Sequence, residues 1–379
     1  MVITGTRADY GLLKNTIKEI HLRKDLELQL VVTGSHVSTI FGSTIKEINN
    51  DGFPISAIVA ILDHEESNLS IINATSKAVA GIGAVIHQKN PDIVLVLGDR
   101  YEALASALAA TILNKPIAHI HGGELTFGAL DDAFRHSITK MSWFHFTTAE
   151  EYKQRVIKLG ESPDRVFNIG SPAIDSLVEA NISKIELEDY LGKELVFPVL
   201  LVTFHPETMS PGLAENHIKT VFAGILASKP GTVVFTKANA DAEGAKINNS
   251  LEELIKTTGN DRFILVSSLG HKRYLSLLSI ADVAIGNSSS LVIEAPMLKV
   301  PSVVIGKRQD GRVRCSSVID VPFSVQGISE AILKAISIKF KQKVQETTHP
   351  FGNPGVAKKI VDILATCSLP NNLMKGFYE

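Results

Sequence analysis

Short β-branched runs alternate with longer amphipathic stretches along most of this chain, and that rhythm restricts its fold more than any other feature. In the first half, strands are predicted for VIT from Val2, LELQLVV from Leu26, DIVLVLG from Asp92, PIAHI from Pro116, FHFTT from Phe144 and VFNI from Val166. Helical periodicity fills the gaps at 11–24, 69–88, 101–113 and 133–141. Runs such as DIVLVLG are apolar almost throughout, as a parallel strand covered on both faces must be. The second half repeats the order, with strands FPVLLVTF from Phe197, TVVFT from Thr232, RFILVS from Arg262, DVAIG from Asp282 and PSVVIG from Pro301. Its helices are predicted at 216–228, 245–257, 274–280 and 290–298. The expected class is α/β, with two Rossmann-like, doubly wound parallel sheets.

A chain of 379 residues is long enough for two cores. The first domain is expected at 1–180 and the second at 190–350, with the linker in or near the charged, weakly patterned stretch 177–193. A last helix near 355–367 is assigned, with the closing segment 355–379, to the first domain. Met1 enters the first strand almost directly, so that strand is short or begins before Met1.

Composition excludes several classes. Apolar residues make up 45%, charged residues 21%, and the net charge is −2, so neither nucleic acid nor an anionic membrane is expected as a partner. The two cysteines, Cys315 and Cys367, form no metal-ligand spacing, and the chain is expected to be cytoplasmic, without metal or cofactor. No apolar run reads as long enough to cross a bilayer, and the first residues lack the features of a signal peptide.

Open α/β sheets bind ligands beyond the carboxyl ends of their strands, so the polar residues there are the informative ones. Gly5-Thr6-Arg7-Ala8-Asp9 follows the first strand: a glycine turn opening a helix that could hold a phosphate, or an ordinary turn. Without GxGxxG, a dinucleotide site is not supported. Asp99 and Arg100 follow DIVLVLG, where Asp99 is placed for proton transfer or for capping the next helix. His121, two glycines and Glu124 follow PIAHI, and Asp131, Asp132, Arg135 and His136 open the next helix. Acids also suit a helix N-terminus on electrostatic grounds alone.

In the second half, His205 precedes a proline, which holds it extended. Gly286-Asn287-Ser288-Ser289-Ser290 joins a strand to a helix carrying Glu294 and offers hydroxyls together with free N–H groups. The neighbouring strand ends at Gly306-Lys307-Arg308-Gln309, which brings cations to the same edge.

The ordered set GTRADYG, GDRYEALA, HIHGGE, DDAFRHSITK, NIGSPAID, FHPET, GNSSS with Glu294, and GKRQDGR resembles the UDP-N-acetylglucosamine 2-epimerases. The likeness is to the hydrolysing branch that makes N-acetylmannosamine for bacterial sialic acid and capsule polysaccharide, and it runs from Thr4 to about Val321. It implies a GT-B fold with a UDP-sugar in the cleft between the domains, and a homo-oligomer, dimer or tetramer. By resemblance, Arg7, Ser288, Ser289 and Glu294 contact UDP, with Glu294 on the ribose. The backbone around Ser268 and Leu269 holds the uracil, and His205 and Arg308 face nucleotide or sugar. Asn239 is a weaker match, and Asp9, Arg100, Arg135 and His136 line the substrate side.

The catalytic carboxylates carry over to Asp99 and Asp131. Many relatives have a third acid two residues after the His of HIEGGE, where this chain has His121. An imidazole there, or Glu124, would take over that proton transfer. The implied reaction has two stages: UDP leaves C1 as the C2 proton is lost, giving a 2-acetamidoglycal, and water then adds with C2 inverted. A related enzyme would take UDP-2,4-diacetamido-2,4,6-trideoxyhexose, for legionaminic acid. A GT-B glycosyltransferase or a non-catalytic UDP-sugar-binding protein are the readings from other classes.

Overall fold

The computed structural model describes residues 1–379 except 39–43, 63–66, 128–129, 179–180, 208–211, 239–242 and 371. Contacts divide the chain into two compact units. One holds Met1–Glu124, Asp131–Ser176 and Pro350–Glu379, and the other holds Leu125–Leu130 and Leu177–His349.

The first unit carries seven strands: β1 (Val2–Thr4), β2 (Leu30–Thr33), β3 (Ile55–Val59), β4 (Val94–Leu97), β5 (Ile117–Ile120), β6 (Phe144–Thr147) and β7 (Val166–Asn168). They form one parallel sheet in the order β3-β2-β1-β4-β5-β6-β7. The order reverses between β1 and β4, the switch point at which open sheets leave a crevice. The second unit carries β8 (Leu200–Thr203), β9 (Val233–Thr236), β10 (Phe263–Val266), β11 (Val283–Gly286), β12 (Ser302–Ile305) and β13 (Val318–Val321), in the parallel order β10-β9-β8-β11-β12-β13. Its switch point lies between β8 and β11. Both units are of the Rossmann-like kind found in the GT-B fold.

The sheets bury what their sequences dictate. All four residues of β4, β5, β8, β9, β11 and β12 are buried, and these are the continuous apolar runs that parallel strands need. Edge strands β3 and β13, only partly buried, lack that signature and were not expected. The strand predicted from Leu26 begins only at Leu30. The helix expected at 290–298 is a 3₁₀ turn, Ser289–Leu291, followed by a four-residue helix, Glu294–Met297. Pro296 lies in that segment and has no N–H to continue a longer ladder. Within the stretch read as linker, Lys184–Leu191 is a helix opened by a reciprocal cap between Ser183 and Glu186.

The helix Asn68–Lys89 corrects the reading that nothing is apolar and long enough to cross a membrane, because by length and mean hydropathy it is. One face, Ala74, Ala78, Ile82 and Ile86, packs into the first unit's core, while Leu69 and Ile72 stay exposed.

The closing segment is strapped to the first unit by charge. The Asp175 carboxylate accepts from the N–H groups of Gly355 and Ala357, both at 2.6 Å, at the start of the helix Val356–Thr366. Further on, Lys375 donates to Glu161 at 2.8 Å and to the Ser142 carbonyl at 2.7 Å. Glu161 is fully buried and also meets Lys140 at 2.6 Å and His145 at 3.1 Å. Burial opposes its charge, but these three donors outweigh it and hold the carboxyl at about 2, against an ordinary 4.5. The stabilisation is therefore complete above pH 4.5 and is lost as pH falls toward 2. Burial holds His145 below its ordinary value, which adds acid sensitivity of the same sign. Lys375→Ala is expected to raise the acid-unfolding midpoint of the first unit, followed by circular dichroism. An unchanged midpoint would show that the strap contributes nothing.

Candidate active site

In the first unit, one buried arginine gathers the strand-end residues. Arg135, carried by the helix Asp131–Met141, is only 1% exposed. Its guanidinium donates to the Asp99 carboxylate after β4, to Glu124 Oε2 at 3.3 Å and to the His121 carbonyl at 3.1 Å after β5. Glu124, wholly buried, accepts from Thr148 Oγ1 at 3.0 Å, and its Oε1 lies 3.0 Å from His121 Nδ1. Asp99, His121, Glu124 and Arg135 thus form one connected group at the carboxyl ends of β4 and β5.

Two backbone features hold this arrangement. Gly123, at φ +79, lies against the Tyr152 carbonyl where a Cβ would collide. His121 itself has φ +69, unusual for a side-chain-bearing residue and a strain that packing must hold. One ring nitrogen of His121 faces Glu124, while Nε2 is buried without a hydrogen-bond partner among the described residues. A ring fixed through Nδ1 with Nε2 uncommitted is suited to exchange a proton with a ligand.

The helix-cap alternative for Asp99 does not hold. The residue at the cap of the helix Tyr101–Ile112 is Arg100, without a side-chain cap bond, and Asp99 is held by Arg135 instead. Asp131 and Asp132 do open their helix, and Asp132 lies 3.6 Å from His136. Burial lowers the His136 imidazole, with the Asp132 charge opposing.

After β1, Thr6 caps the helix Arg7–Leu22 by accepting from the Asp9 N–H, so this turn does have the ordinary structural role. Burial pushes the Asp9 carboxyl up to about 7, against the pull of Arg100 and with the push of Glu102. A carboxyl titrating there is available in both protonation states at neutral pH. Glu102, buried and 3.2 Å from Arg100 Nε, packs on Gly5 and was not singled out from the sequence.

In the second unit, His205, Asn287 and Arg308 meet at the ends of β8, β11 and β12. Asn287 Oδ1 accepts from the His205 N–H at 2.8 Å, and Asn287 Nδ2 donates to the His205 carbonyl at 2.8 Å. The Asn287 carbonyl in turn accepts from Arg308 Nη1 at 3.2 Å and Gln309 Nε2 at 2.8 Å. Ser288 caps the 3₁₀ turn, and Ser290 Oγ lies 2.5 Å from the Tyr274 hydroxyl. Glu294 is buried at the start of its short helix. The predicted uracil segment is partly engaged already, since the Ser268 carbonyl accepts from the Tyr190 hydroxyl at 3.1 Å and Ser268 Oγ from the Gly270 N–H at 3.0 Å. Asn239 lies outside the described residues.

A family model described as UDP-N-acetylglucosamine 2-epimerase matches residues 18–365. The chain belongs to the UDP-N-acetylglucosamine 2-epimerase family. Within the family it is 38% identical to a GDP/UDP-N,N'-diacetylbacillosamine 2-epimerase (hydrolyzing) of Campylobacter jejuni, over all of this chain and 98% of that protein. It is 36% identical to the polysialic acid biosynthesis protein P7 of Escherichia coli, over all of this chain and 97% of that protein. Among solved structures, the UDP-GlcNAc 2-epimerase of Neisseria meningitidis bound to UDP-GlcNAc superposes with a TM-score of 0.83 at 20% identity, covering 97% of this chain and 99% of that one. At that identity the likeness speaks for the fold.

Proposed function

We propose that this chain hydrolyses a UDP-2-acetamido sugar with inversion at C2, releasing UDP and the free 2-epimer. The observation that carries the reading is the Arg135-centred group of Asp99, Glu124 and His121, two carboxylates and an imidazole at strand ends in a chain of this family. Elimination needs a base for the C2 proton, and hydration needs an acid on the opposite course. Asp99, Asp131 and the open nitrogen of His121 are the candidates, with Glu124 fixing the His121 ring. The second unit is assigned the nucleotide: Ser288, Ser289 and Glu294, with His205 and Arg308 countering the charge that develops on the departing diphosphate. Arg7 is a further candidate for contact with UDP.

UDP-N-acetylglucosamine is the substrate to which the motifs point, with N-acetylmannosamine as product. The 2,4-diacetamido-trideoxy sugar is a second reading, favoured by the Campylobacter relative and by a 31% identical UDP-N,N'-diacetylbacillosamine 2-epimerase (hydrolyzing) of Legionella pneumophila. Proton NMR in deuterated water separates them. Free UDP and N-acetylmannosamine carrying deuterium at C2 support the first reading. Turnover of the diacetamido sugar alone supports the second, and inertness to both sinks the proposal.

A further inference from the structure

His205 and Arg308 are both assigned to the ligand. They come from different strand ends, and nothing in their own sequence segments fixes the distance between them. We infer that Asn287 is a positioning residue that sets both groups in place before the ligand arrives.

Asn287 is fully buried, yet every polar group of its side chain is used. Its amide forms a reciprocal pair with the main chain of His205, accepting from the N–H and donating to the carbonyl, both at 2.8 Å. This extends the pairing between the strands past their ends, two residues beyond β8 and one beyond β11. The Asn287 N–H adds a bond to the Thr203 carbonyl at 3.2 Å. Its own carbonyl is the acceptor that Arg308 and Gln309 share. One residue therefore ties three strand ends together.

A second contact completes the stitch. Glu207 Oε1 accepts from the N–H groups of Lys307 at 2.7 Å and Arg308 at 3.1 Å. Gly306, at φ +79, leaves the space that this carboxylate occupies. His205 and Glu207 share one loop, so the loop held by Asn287 also grips the backbone beside Arg308.

The chemistry at position 287 requires an amide. Aspartate accepts but cannot donate, so it would set a carboxylate against the His205 carbonyl. Alanine would remove both bonds to the His205 main chain. Donors aimed in advance at a developing charge cost no reorganisation during the reaction, and this is what the stitch would supply.

The inference rests on the proposed UDP site for its functional consequence, but its structural part can be read without ligand. Hydrogen exchange on the free protein is the first measurement. Asn287→Ala is expected to speed exchange at the amides of His205, Lys307 and Arg308 by about tenfold or more, and to leave the helix Ala214–Ala227 unchanged. Unchanged exchange at 307–308, or a uniform rise through the second unit, overturns it. Val221→Ala, in the core of the same unit, is the control for lost stability alone.

Calorimetry with UDP is the second measurement. Asn287→Ala and Asn287→Asp are each expected to weaken UDP by roughly ten- to a hundredfold, and Val221→Ala to leave it as in the parent. Asn287→Ala placed on Arg308→Ala is expected to cost much less than it does alone, because part of its effect passes through Arg308. Fully additive losses overturn the positioning role. A parent protein that binds no UDP while the exchange pattern holds would sink the functional reading and leave the stitch standing.

Discussion

Replacing Arg135 by methionine is expected to destabilise the first unit by about 3–5 kcal/mol and to abolish turnover. Arg135 is among the largest fully buried side chains, and methionine nearly matches its length without its charge. The stem would still pack. Glu124, with no exposure of its own, would lose a cationic partner, and Asp99 would lose the donor that aims it. Removing one member of a buried ion group leaves an uncompensated charge, which costs far more than the net worth of the pair. Urea unfolding followed through the fluorescence of Trp143 reports on the correct unit, since that ring packs under Arg165 at 4.3 Å. Adding Glu124→Gln is expected to restore part of the lost stability without restoring activity. A midpoint unchanged by Arg135→Met would mean that the group is not held together by this guanidinium.

Asp99→Asn is expected to lower kcat by about 10²–10⁴-fold while leaving UDP affinity near that of the parent. Asparagine keeps the shape and can still accept from Arg135, so the fold around β4 should survive. It cannot take a proton from carbon or return one. The nucleotide contacts are assigned mainly to the second unit, and binding and chemistry should therefore separate in this variant. A kcat within about tenfold of the parent would remove Asp99 from the acid–base role and shift it to His121 or Asp131. The informative comparison is His121→Ala, which deletes the open Nε2 while keeping a Cβ on the left-handed backbone.

Much of the candidate site was legible because strand ends are legible. An apolar run that stops at Gly98 or Ile120 tells where the next polar residue must stand, and so Asp99 and His121 could be singled out from the chain alone. Thr148, Asn287 and Tyr274 were not, for a common reason. Each acts through a partner distant in sequence: Asn287 meets His205 across 82 positions, and Thr148 meets Glu124 across 24. Asn287 lay in full view inside GNSSS, where its neighbours drew attention to phosphate instead.

What the sequence determined by itself is the alternation of buried parallel strands with helices, the doubling of that pattern, and the strand ends at which polar residues collect. These follow from local periodicity and from the lack of water on either face of a parallel strand. Tertiary structure alone decided the strand order, the partly buried edge strands β3 and β13, and the pairing of Arg135 with two carboxylates. Those depend on which distant segments lie side by side, and burial then makes each pairing obligatory, because a charge or amide removed from water must find its partner within the fold.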